Sequence, residues 1–179
     1  MNIFAVSDDV TLCAQALDDK RLVKMLTETC QLLSSARLLL QKPAPYKLNH
    51  AKHPATLWAV QRFQHRCWLG ALGQAYYTEY RLRFAGGNHG AWEKCGTLLM
   101  KYSQRLDHVM DIHFVNCARH SELGVDFTNE SNVHVAYRKY LIARWTLSIQ
   151  EKNPKTIPTF TNRRPPDFAG QLKPYFKIK

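Results

Sequence analysis

No stretch of the 179 residues approaches the roughly 20 consecutive apolar residues of a membrane-spanning helix. The opening "MNIFAVSDDV" lacks a basic segment followed by an apolar one, so no secretion signal is expected there. The five cysteines, Cys13, Cys30, Cys67, Cys95 and Cys117, are odd in number and never spaced as Cys-x-x-Cys, which argues against a disulfide framework and points to reduced, cytoplasmic thiols. Familiar catalytic signatures are missing as well: no phosphate-binding glycine loop, no dinucleotide fingerprint, no nucleophile elbow and no zinc-deaminase spacing. Internal repeats and low-complexity tracts are absent. Any chemistry must therefore come from sparse parts.

Acidic residues are also scarce. Twenty-five Lys and Arg face 14 Asp and Glu, a net charge of +11 and a pI near 9.6. Such an excess steers a protein toward polyanions, nucleic acid first among them. The 45% hydrophobic content is that of a folded globule, and 179 residues suffice for one core without a metal or disulfide staple.

Apolar periodicity points to an all-α domain of about five helices. One begins near Val10, with Leu12, Ala16 and Leu17 on one side. A second runs from the capping pair Asp18 and Asp19 to about Leu40. A loop, "QKPAPYKLNHAKHP", leads to a long helix from Pro54 to about Phe84, whose inward stripe is expected to include Leu57, Val60, Trp68, Leu72, Ala75 and Tyr76. Helices over about 91–105 and 132–150 follow, with 106–131 ambiguous between them. "NIFAVS" suits either a strand or a buried N-terminal arm. Residues 1–152 are expected to form the helical domain, and 153–179, with Pro154, Pro158, Pro165, Pro166 and Pro174, an irregular basic tail packed on it or extending from it.

Three clusters carry candidate chemistry. At 100° per residue, Lys20, Lys24, Glu28, Gln31 and Ser35 share an arc of about 80° on the second helix, with Arg21 beside it. This suits a wet face with a Lys24–Glu28 pair, or one ionised carboxylate among cations that meet phosphate. In "PYKLNHAKHPATLW", Tyr46, Lys47, His50, Lys52, His53 and Trp58 interleave rings with cations, as nucleic-acid binding favours, although Trp58 equally suits a helix core. His50 and His53 have no Cys or acid at metal-like spacing, so no metal is expected. From residue 152 on, Lys152, Lys155, Arg163, Arg164, Lys173, Lys177 and Lys179 face only Asp167, a local charge of +6. Arg163 and Arg164 suit bidentate phosphate contacts, and the segment equally suits a solubilising tail.

The order "MNIF", "KMLTETCQLL", "YKLNHAKHPATLW" and "EYRLRF", over roughly residues 1–84, resembles the pyrimidine-dimer DNA glycosylases of the phage endonuclease V type. It is also similar to small phage proteins of unassigned role that open with Met-Asn-Ile-Phe and carry Asp-Lys-x-x-Val-Lys-Met. The resemblance implies an N-terminal α-amine that attacks deoxyribose C1′ and expels the base, a Schiff base, and strand cleavage by β-elimination. It also implies a helical glutamate beside the amine, which Glu28 matches. The amine would be that of Met1 or, after processing, Asn2, and Met1 is preferred because methionine is normally retained before a residue as large as Asn. The best-known members expose a small first residue instead, and the arginines they carry on this helix are matched only in part, by Arg21 and Lys24.

An α-amine titrates at about 7.7–8.0, so part of it is neutral at pH 7, unlike a lysine at about 10.4. Lys20, Arg21 and Lys24 would depress it further while holding flanking phosphates. Trp58 or Tyr46 could support a distorted duplex. The expected partner is double-stranded DNA, bound by a monomer without a cofactor in the cytoplasm, including that of an infected host cell. Two other readings share the surface: a phage enzyme that modifies a DNA base rather than removing it, and a non-catalytic DNA-binding protein.

Overall fold

The computed structural model describes residues 2–106, 112–151 and 153–179. Six α-helices dominate: α1 (Val10–Gln15), α2 (Asp19–Leu39), α3 (Pro54–Gln61), α4 (Phe63–Arg83), α5 (Gly90–Ser103) and α6 (Val133–Gln150). A two-residue antiparallel pair, β1 (Arg119–His120) with β2 (Val125–Asp126), precedes α6, and a parallel pair, β3 (Thr159–Phe160) with β4 (Lys177–Ile178), follows it. The protein is thus mainly helical.

α2 forms where its caps allow. Asp18 accepts the Arg21 amide at 3.2 Å, Asp19 lies in the first turn and Arg37 in the last, each complementing the helix dipole. Leu22, Met25, Leu26, Leu32 and Leu33 line its inner side and are 2% exposed or less.

The single helix expected over 54–84 is instead two. Arg62 adopts an extended conformation (φ −132°, ψ 147°) between α3 and α4. The carbonyls freed at the end of α3 find new donors across the bend: Arg66 Nη1 donates to Ala59 O (2.7 Å) and Val60 O (2.9 Å), and His65 Nδ1 meets Trp58 O at 2.6 Å. Such side chains replace the helix ladder that the break removes. The bend also turns Leu57 outward to 46% exposure, against its expected place in the core, whereas Trp68, Leu72 and Tyr76 are buried as the stripe requires. α4 and α5 pack closely because Gly70 has no Cβ, which would sit 2.6 Å from Tyr102 Cβ.

"NIFAVS" is a buried arm rather than a strand: Ile3, Phe4, Ala5 and Val6 are 6% exposed or less. α4 and α6 hold its carbonyls. Tyr76 Oη donates to Ile3 O (3.4 Å), His134 Nδ1 to Ala5 O (2.6 Å) and Arg138 Nε to Val6 O (2.9 Å). The Asn2 side chain accepts from the Ile3 and Phe4 amides and stabilises the positive φ (40°) of Phe4, a conformation non-glycine residues seldom adopt.

Residues 153–179 pack on α6. Trp145 lies between Phe160, Phe168 and Phe176, with ring centroids 5.3–6.0 Å apart, and its indole N–H donates to Asp18 at 2.8 Å. β3 is tied to α2 as well, since Asp19 accepts from the Thr161 amide (3.1 Å) and hydroxyl (2.7 Å).

Candidate active site

A cleft of about 650 Å³ opens between the first half of α2 on one side and β1, α6 and the segment from Lys155 to Thr159 on the other. Asn2 and Phe4 of the N-terminal arm and Glu28 also line it. The buried arm and the caps of α2 set this geometry: one fixes where the chain starts, the other where the helix presents its polar side.

Glu28 has both carboxylate oxygens engaged. The Asn2 backbone amide donates to Oε2 at 3.2 Å, and Lys24 Nζ, one turn earlier, lies 3.1 Å from Oε1. Its side chain is 14% exposed, whereas that of Lys24 is 71% exposed. Asn2 is fixed in turn by its side-chain amide, which donates to Cys117 O at 3.2 Å. Met1, named as the nucleophile, lies outside the described residues.

The first half of the polar stripe gathers at the cleft. Lys20, Arg21, Lys24 and Glu28 line it, while Gln31 does not and Ser35 is buried, exchanging hydrogen bonds with the backbone of Asn49 (2.9 and 3.1 Å). Arg21 is already committed to Asp18, at 2.5 Å. Asp18 therefore bridges Arg21 and Trp145, holding α2 against α6.

A model of the pyrimidine dimer DNA glycosylase family matches residues 1–110, more than half of the chain. The protein belongs to this family. No match was found among curated proteins or among solved structures. The matched region spans the arm, α1 to α5, Glu28 and the α2 wall of the cleft.

Four other candidates lie off the cleft lining. Tyr46, Lys47, His50 and His53 are on the loop before α3 and do not line the cleft. Tyr46 is half-buried with Lys94 Nζ 4.3 Å above its ring, and burial raises its phenol pKa. His53 caps α3 by accepting the Ala55 amide at 3.1 Å. Its pKa is lowered, by burial first and by the charge of His50, while Glu28 works in the opposite direction. His50 is exposed, with a positive φ of 49° and its ring 6.3 Å from that of His53.

Two candidates are corrected by the structure. Trp58 belongs to the core: it is 4% exposed, stacked on His65 at 4.2 Å, edge-on to Trp68, and its indole N–H donates to His113 O at 2.7 Å. No ring face is left for a base. Arg163 is a structural clamp, its Nε and Nη2 bonded to the two oxygens of Glu79 at 2.8 and 2.7 Å. Glu79 also takes Arg83 Nε at 2.7 Å, and Arg83 reaches Asp19 at 3.1 Å. Arg164 is exposed.

The far wall of the cleft holds Lys155 and Lys179 of the basic C-terminal cluster, and beside them Arg119, His120, Tyr140 and Arg144, which sequence reading missed. For these four the one local signal was the Tyr140 and Arg144 pair, one turn apart on α6. Thiol chemistry has no support in the geometry: all five cysteines are free, four are buried, and burial pushes Cys13 up to about 12.

Proposed function

We propose that the protein removes a damaged or modified pyrimidine from duplex DNA through an N-terminal amine and Glu28, and that it cleaves the resulting abasic strand. The observation that carries this reading is the 3.2 Å hydrogen bond from the Asn2 amide to Glu28. Residue 1 is joined to that amide nitrogen, so a chain beginning at Met1 has its α-amine within one residue's span, about 3.8 Å, of a group already on the carboxylate.

Membership of the DNA glycosylase family and the surplus of positive charge supply the substrate class. In the proposed reaction the neutral amine attacks C1′. The bond from C1′ to the base breaks, and the base leaves with its electron pair and a proton. Opening of the sugar ring gives the Schiff base, loss of a C2′ proton then breaks the C3′–O bond, and water finally releases the enzyme. Glu28, paired with Lys24, stabilises the cationic sugar and relays protons. Lys20 and Lys24 are the proposed phosphate contacts on α2, and the exposed Lys47, His50 and Arg164 are peripheral ones.

The test uses duplexes bearing pyrimidine dimers and other modified pyrimidines. Wild-type protein should release the base and leave abasic or cleaved strands, and a chain extended by one residue before Met1 should bind the duplex without turnover. Full activity of the extended chain would remove the N-terminal amine from the mechanism.

A further inference from the structure

More than half of the residues lining the cleft lie beyond residue 110, outside the family match. Each wall mixes paired and unpaired cations: Lys20 on α2 is in no ion pair among the described residues, and Arg119 on the far wall is held by Asp126 at 3.4 Å. On α2, Arg21 is held by Asp18 and Lys24 by Glu28. On the far wall, Arg144 and Lys155 pair with no carboxylate among the described residues, and Glu151 is the only acidic side chain that this wall contributes.

Arg144 is half-buried on α6 beside Tyr140. Its Nη1 donates to the Tyr140 hydroxyl at 3.1 Å, and the guanidinium carbon lies 5.8 Å from that ring's centroid. Its Nε is shut from solvent without a hydrogen-bond partner, and so is Nδ1 of His120 on the same wall. Buried donors are nearly always satisfied, so a cleft-lining arginine whose Nε has no partner has an acceptor that arrives from outside. The guanidinium edge formed by Nε and Nη2 matches two oxygens of a phosphate.

We propose that Arg144, with Lys155 beside it, binds a phosphodiester of the DNA backbone across the cleft from Glu28, so that the strand is held from both walls. This rests on the reading of the cleft as the glycosylase site. The side chain need only turn its Nε edge into the cleft while the Tyr140 hydroxyl keeps Nη1.

The experiment measures affinity against salt concentration for a duplex carrying a stable abasic analogue, which binds without turnover. Arg144→Gln should lower the slope of log K against log salt by about one, and Arg144→Gln with Lys155→Gln by about two. Arg144→Lys should restore the slope but not the full affinity, because an ammonium cannot make the paired contact. Glu28→Gln should not lower the slope. A wild-type slope in Arg144→Gln overturns the proposal; should that variant fail to fold, the exposed Lys155→Gln decides by the same criterion. At fixed ionic strength inorganic phosphate should not displace the duplex, and tight competition would assign the site to free phosphate and overturn the proposal as well. The two readings separate cleanly: lost turnover in Glu28→Gln with unchanged Arg144→Gln slopes removes only this one, and retained turnover with altered slopes removes only the chemistry.

Discussion

Glu28 and Glu79 are the same side chain on two long helices, each one turn from a cation, and they meet different surroundings. Glu79 is closed in: its side chain is 4% exposed, Arg83 beside it is fully buried, and Arg163 arrives from the C-terminal segment to occupy both oxygens. Every strong partner of Glu79 is protein. Glu28 faces a cleft, its cation is a solvent-exposed lysine, and its second donor is the amide of the chain's second residue. A carboxylate enclosed by its partners is thus a staple, and one whose partners leave a side open to a cleft is a candidate reagent.

The difference can be broken most forcefully at Glu79. Glu79→Ala leaves two guanidinium groups without their acceptor and should cost about 3–5 kcal/mol of stability in denaturant unfolding, the usual effect of removing one partner of a buried pair. Glu28→Gln should do the reverse. Turnover should fall at least about 100-fold, the lower end for a positioned acid–base group, while the unfolding free energy shifts by less than about 1 kcal/mol.

Acid titration sharpens the contrast. Burial alone would raise the Glu79 carboxyl, but the hydrogen bonds from Arg163 and Arg83 more than reverse this and leave its pKa below the ordinary glutamate value. A carboxyl lowered in the folded state adds stability that is present above its unfolded value, about 4.3, and is lost as pH falls through the folded one. Unfolding measured from pH 6 down to 3 should therefore show a loss that Glu79→Gln flattens. The smallest effect belongs to Lys24→Ala, which should cost no more than about 0.5 kcal/mol as an exposed pair one turn apart.

How far these roles could be read from sequence followed the distance between partners. α2 was legible, with Asp18 as its cap and a polar side starting at Lys20, because every signal lies within a few turns. So was the position of Glu28 on that polar side, which the helical spacing gives and the cleft lining includes. Arg163 looked like a phosphate ligand because its acceptor stands 84 residues away. Trp58, set among cations in the chain, turned inward because His65 and Trp68 on the next helix supply its packing. The break at Arg62 likewise depends on Arg66 reaching back to α3, a contact that apolar spacing does not encode. Arg144 on the far wall was invisible for the same reason: it meets the site only after α6 and the C-terminal segment have folded against α2.

The proposed N-terminal amine has one lysine competitor among the described residues, since Lys24 Nζ is 3.1 Å from the Glu28 carboxylate. Borohydride reduction during reaction with lesion-bearing duplex, followed by proteolysis and mass spectrometry, reads out which nitrogen carries the sugar. The account predicts a single adduct on the α-amine of the N-terminal peptide. An adduct on Lys24, or good binding with no trapped complex across the lesions, would contradict it.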